Sequence, residues 1–305
     1  MTTKTLLRLC VPLTLVASGA LVSAQVLLPS VPPKQFGGSV TAAFEGWYDN
    51  PDGTHSFLIG YFSRNTEAEL DIPIGPNNHF EPGPVDMGQP THFLPGRRYG
   101  MFTYTVPKEF TRTQKLSWVL VANGVTTSVP FYMSPDYNVS PFKSSEESPG
   151  GGYNLPPVLR FNEKGLSFQG PAATPSKSFN RTATVGAPMA LDLLADDDAK
   201  YSTGTNAPMR NAPPPVNLTL SKYRGPGVVT FGTAKPKFDA LKGGKVDEPY
   251  SGKASTTVTF SEPGDYMLHV TANDYSGNGG GGSVCCWTTA IINVNVHGPP
   301  ATTGQ

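Results

Sequence analysis

A chain of 305 residues is long enough for two hydrophobic cores. Its 33 Gly and 31 Pro exceed average usage without reaching the level that signals disorder, and 16 Phe and 12 Tyr with no long segment of helical period point to short strands joined by turns. A balance of 23 cationic against 23 anionic side chains excludes the strongly basic surface that nucleic acid selects for, so no nucleic-acid partner is expected.

At the N-terminus, Lys4 and Arg8 precede an apolar run, Leu9 to Val22, that ends in the small residues Ser23 and Ala24 before Gln25. This is the three-part pattern of a signal peptide, residues 1–24, and predicts a secreted or periplasmic product. A retained anchor is the alternative, but Pro12, Ser18 and Gly19 interrupt a run already shorter than the ~20 apolar residues of a spanning helix. Cleavage removes Cys10, two cations and no anion, leaving 21 basic against 23 acidic residues and no integral membrane segment. Residues 25–40 form an extended entry to the first domain.

A first β-sandwich is expected over 41–135. Asn50-Pro51-Asp52-Gly53 reads as the turn of a hairpin between Phe44–Tyr48 and Ser56–Phe62. Gly100–Val106 supplies another strand. Leu116, Trp118 and Leu120 alternate on one face before Asn123-Gly124, a two-residue hairpin turn leading into Val125–Met133. The Pro-rich stretch from Asp71 to Arg98 predicts a rigid ordered loop, serving as a cap over open sheet edges or as a functional surface. It holds His79, Glu81, Asp86 and His92, which are candidates for metal binding or acid–base chemistry although their spacing matches no ligand signature.

Residues 136–157, with Ser144-Ser145-Glu146-Glu147-Ser148-Pro149 and three glycines, predict a flexible linker. A second sandwich is expected over 158–298, followed by a polar tail, 299–305. Alternation places Thr256, Val258 and Phe260 inward. It does the same for Tyr266, Leu268, Val270 and Ala272, with Met267, His269 and Thr271 outward, and for Ala290, Ile292, Val294 and Val296. Tyr266, just after Gly264, stands where a tyrosine corner ties a phenol to nearby backbone.

The stretch Leu218–Phe231, with Gly225-Pro226-Gly227, and the stretch Thr257–Asp274, with Glu262-Pro263-Gly264-Asp265-Tyr266, resemble a PKD-type immunoglobulin-like domain. The resemblance covers Gly186 to Val296. It departs where Leu220 replaces a common Trp and where Ala199–Pro215 lengthens an early loop. It implies two immunoglobulin-like β-sandwiches in tandem and extracellular contact with a glycan or protein, with no activity of its own. The first half is similar to an uncharacterised module of exported bacterial proteins, as Gly60–Asn65 and Gly88–Phe93 suggest.

In the second domain, Asp196-Asp197-Asp198 raises a calcium candidate formed by Asp196, Asp198 and Asp274, with a solvated turn as the alternative and no other cofactor expected. Cys285 and Cys286 are the only cysteines left after leader removal and form a candidate vicinal disulfide, with a reduced pair as the alternative. The expected function is a non-catalytic exported binding, adhesion or scaffold protein contacting a polysaccharide, an envelope component or a protein. The alternatives are a secreted hydrolase using the His79–His92 loop and a structural spacer.

Overall fold

The computed structural model describes residues 33–143, 154–200, 214–245, 248–274 and 285–298. The leader, the centre of the linker, most of the 199–215 insertion, Gly279–Gly282 and the tail lie outside the described residues. The described chain is all-β, with one 3-10 turn at Pro135–Tyr137 and no α-helix.

Two three-stranded sheets pack around an aromatic core in the first half. Strands β1 (Val40–Asp49), β2 (His55–Ser63) and β6 (Gly96–Val106) form one sheet in the order β1-β2-β6. Strands β4 (Asn78–Glu81), β7 (Leu116–Ala122) and β8 (Val125–Phe131) form the other, and β3 (Leu70–Asp71) pairs with β5 (His92–Phe93). Asn123 and Gly124 both have positive φ, 50° and 77°, the type I′ geometry whose twist matches the flanking strands. Trp118 is fully buried, stacked on Phe80 at 5.7 Å between ring centroids and edge-on to Phe102 at 5.5 Å. Phe80 belongs to the Pro-rich segment, which thus supplies an edge strand and core as well as a surface. Each such buried ring contributes on the order of 2 kcal/mol.

The second half is a sandwich of a larger and a four-stranded sheet. The larger holds β9 (Val158–Arg160), β10 (Ser167–Phe168), β12 (Met189–Asp197), β14 (Val229–Phe231), β15 (Asp239–Lys242) and β16 (Tyr250–Phe260). The other runs β11 (Ser178–Thr184), β18 (Trp287–His297), β17 (Gly264–Asn273), β13 (Asn217–Arg224), with β11 parallel to β18. The inward sets are buried in one core with Leu191 and Leu193. The Tyr266 hydroxyl donates to Glu262 O at 2.9 Å and accepts from Gly227 N at 3.0 Å, closing a tyrosine corner.

His269 departs from its expected outward exposure. Alternation does turn it away from its own core, yet it is only 2% exposed, because the first sandwich covers that face of β17. The described ends of the expected linker are also packed. Val139 N donates to Trp47 O at 2.9 Å, Phe142 lies edge-on to Tyr48 at 5.1 Å, and Asn154 is fully buried.

Candidate functional site

Two strand bulges build the contact between the sandwiches. Between β2 and β6, Ile59 faces Phe102 and Tyr61 faces Arg98, so Gly60 alone opposes Tyr99, Gly100 and Met101. The surplus residues bring β6 against the outer face of β17 and β18. Gly100 lies on the Trp287 ring, where an added Cβ would come within 2.6 Å of Cζ2, and its φ of 50° is itself costly for other residues. The buried Glu45 fixes the bulge, accepting from Gly100 N at 2.8 Å and pairing with Arg97 at 2.6 Å. Burial raises the Glu45 pKa, opposed by the Arg97 charge. One residue on, the Met101 carbonyl accepts from His269 Nε2 at 2.9 Å, and the imidazole stacks on Tyr223 with centroids 5.7 Å apart. The His269 pKa is lowered to about 4, chiefly because the charged ring would be stripped of water.

The second bulge lies in β13, where Lys222 faces Leu268 and Arg224 faces Met267, with Tyr223 unpaired between them. The irregularity lets three successive side chains reach the Pro-rich segment of the first sandwich. Lys222 Nζ donates to Asp71 Oδ1 at 3.1 Å, the Tyr223 hydroxyl donates to Gly88 O, and the Arg224 guanidinium takes both oxygens of Asp86 at 2.8 and 2.7 Å. Hydrogen bonds from Arg224 hold the Asp86 carboxyl below its ordinary range. The segment is therefore a clasp between the sandwiches. Lys-Tyr-Arg in a strand carries no sequence sign of a bulge, which is why these residues escape a reading by alternation alone.

The four candidates of the Pro-rich segment are not gathered in one site. His79 Nε2 stands 3.9 Å from Glu81 Oε2, and Asp86 is held by Arg224. His92 Nδ1 faces Asp71 Oδ1 at 2.9 Å, and its Nε2 faces Glu69 Oε2 at 3.2 Å. Among the described residues, no three His, Cys, Asp or Glu side chains form a group able to hold a metal ion.

The acidic run is divided by strand alternation. Asp196 turns outward on β12, accepting from Ser251 Oγ at 2.6 Å and pairing with Arg160. Asp198 accepts from Leu155 N at 3.3 Å and pairs with Lys200 at 3.7 Å. The inward member is Asp197, on the face of Leu193 and Ala195, with 7% exposure. Its Oδ1 accepts from Ala199 N at 2.8 Å, while Oδ2 has no hydrogen-bond partner. Burial first and the Asp274 charge second push its pKa up to about 8. Asp274 is itself buried and accepts from Asn154 Nδ2. Cys285 and Cys286 are joined by a disulfide in the same corner, with Cys286 Sγ 3.3 Å from Asn154 O.

No protein-family model and no curated protein matches the sequence. Solved structures that match include domains 4 and 5 of the S-layer protein SbsC, with 11% identity, a TM-score of 0.22, and coverage of 85% of this chain and 97% of that one. Others are the Yersinia pseudotuberculosis adhesin InvE (13% identity, TM-score 0.23, 86% and 59% coverage) and CfaE, the adhesive subunit of the CFA/I fimbria of enterotoxigenic Escherichia coli (8%, 0.20, 87% and 88%). Superpositions this loose carry no argument about function.

Proposed function

We propose that the chain is an exported, non-catalytic binding or adhesion protein, in which the two sandwiches present their surface to a polysaccharide, an envelope component or a protein. The observation that carries this is the clasp. Asp71 and Asp86 of the Pro-rich segment are engaged with Lys222 and Arg224, and His92 with Asp71, so the segment holds the sandwiches together. A hydrolase built on His79–His92 would need His79, Glu81, Asp86 and His92 to converge, whereas His79 stands by Glu81, Asp86 is held by Arg224, and His92 lies between Asp71 and Glu69. The leader pattern of residues 1–24 supports export. The PKD-type resemblance supports extracellular contact. Among the described residues, no helix is long and apolar enough to cross a membrane.

The direct test is co-sedimentation of the purified exported form with cell envelope and a panel of insoluble polysaccharides. Retention in at least one pellet at moderate salt is the expected result. Absence from every pellet would leave the spacer as the better account.

A further inference from the structure

Where the β6 bulge meets the second sandwich it leaves a cleft of about 200 Å³. Its wall includes Arg98 and Tyr99 from β6, Thr271 and Asn273 from β17, Trp287 from β18, and Lys235. Asn273 and Trp287 are register partners, so their side chains share one end of one sheet face.

Three of these residues hold a buried polar atom with no hydrogen-bond partner: Arg98 Nε, Asn273 Oδ1 and Trp287 Nε1. Asn273 is 7% exposed and Trp287 1%. Unpaired buried polar atoms are uncommon in folded proteins, and these three leave polar groups at the cleft that the chain does not pair, although Arg98 Nη2 donates to Pro95 O at 3.0 Å.

Charge narrows the ligand. Among the described residues neither Arg98 nor Lys235 has a carboxylate within ion-pair distance, and no acidic side chain lines the cleft. Arg97 is neutralised by Glu45 and lies 4.2 Å from the Tyr99 ring centroid. Two uncompensated cations therefore face the cleft, which selects an anion. The guanidinium and indole N–H groups suit a carboxylate, whereas the Asn273 oxygen and the Thr271 hydroxyl suit a ligand that also carries hydroxyl groups.

Size and edge geometry narrow it further. The volume is below the ~300 Å³ at which pockets for drug-sized ligands begin, so one small ring fits. An extended acidic peptide is disfavoured because β13, the edge strand beside this face, already has its backbone engaged. Thr91 N donates to Tyr223 O at 3.1 Å, and Leu220 N donates to Ala234 O at 2.8 Å.

We infer that the cleft binds the carboxylate-bearing sugar unit of an acidic polysaccharide, with Arg98 and Trp287 holding the carboxylate and Asn273 a ring hydroxyl. This names the ligand class of the binding protein proposed above and rests on that proposal.

The test is titration calorimetry of the whole exported chain with short oligomers of galacturonic, glucuronic and mannuronic acid, and with glucose oligomers of matched length and sulfated dextran. At least one uronic acid oligomer is expected to bind, and the neutral oligomer is not. Arg98→Gln should weaken that binding roughly tenfold or more. Trp287→Phe, which leaves a ring against Gly100 and removes the N–H, should weaken it several-fold while the variant stays folded at a somewhat lower unfolding midpoint, because the smaller ring leaves a buried gap. Lys235→Ala should weaken it and reduce its salt dependence.

Equal binding of the neutral oligomer, or undiminished acidic binding in Arg98→Gln, overturns the assignment. Preference for sulfated dextran over every uronic acid overturns the carboxylate. If wild type and Arg98→Gln pellet equally with envelope or polysaccharide, binding lies elsewhere and only this inference falls. If nothing binds in either assay, both proposals fall together.

Discussion

His269 enters the interior as a neutral ring and makes the contact between the sandwiches sensitive to acid. Its folded pKa of about 4 lies below the unfolded value of 6.5, so its contribution is full above pH 6.5 and is lost as pH falls toward 4. The loss across that window is about 3 kcal/mol. In His269→Gln the amide can still donate to Met101 O, and the acid limb of stability should flatten; urea unfolding from neutral pH down to about 4 measures it. An unchanged limb would assign the acid loss to other groups. Asp197 works in the opposite sense. Its folded value of about 8 lies above the ordinary 3.8, so its contribution is full below pH 3.8 and is lost as pH rises through 8. Asp197→Asn should remove that loss, flattening the urea midpoint between about pH 4 and pH 8. At this scale the sequence is only partly legible. Three consecutive aspartates are visible in it, but which one faces inward depends on where β12 ends and what lies opposite.

At the scale of elements, the two bulges determine what the strands present. An ordinary β6 would pair through Gly60 without reaching the second sandwich, and an ordinary β13 would turn Tyr223 away from Lys222 and Arg224. Gly100→Ala tests the first bulge. The substitution combines a positive φ with overlap on Trp287, and a loss of ~2 kcal/mol or more is expected in chemical denaturation. A near-wild-type midpoint with an unaltered aromatic circular dichroism signal would mean that the bulge relaxes and the contact is loose. The turns are far more legible. Asn123-Gly124 and Asn50–Gly53 act through their own backbone preferences, and both lie where the sequence places them. Neither bulge carries a comparable local signal, since each exists to meet a distant surface.

Over the described molecule, the two sandwiches share buried surface. Tyr223 and Ile291, from the second, are fully buried within the core of the first, and Ala173 joins them. The intact chain should therefore unfold in one cooperative transition, followed by calorimetry together with far- and near-ultraviolet dichroism. A fragment of residues 158–298 would expose Tyr223, Ile291 and Trp287 as an apolar patch and should melt below the intact chain. Two separate transitions, the second coinciding with that of the fragment, would show that the sandwiches are energetically independent.

The all-β class, the inward sets of β16, β17 and β18, and the Tyr266 corner were determined by the sequence alone. Period-two alternation and turn chemistry act over a few residues, and any strand that buries one face must display them. Only the tertiary structure decided that the outward face of β17 is also buried, that the Pro-rich segment clasps β13, and that Arg98, Asn273 and Trp287 surround one cleft. Met101 and His269 meet across 168 positions of chain. No local pattern in either strand records that meeting, because the burial of an outward face depends on the partner that covers it.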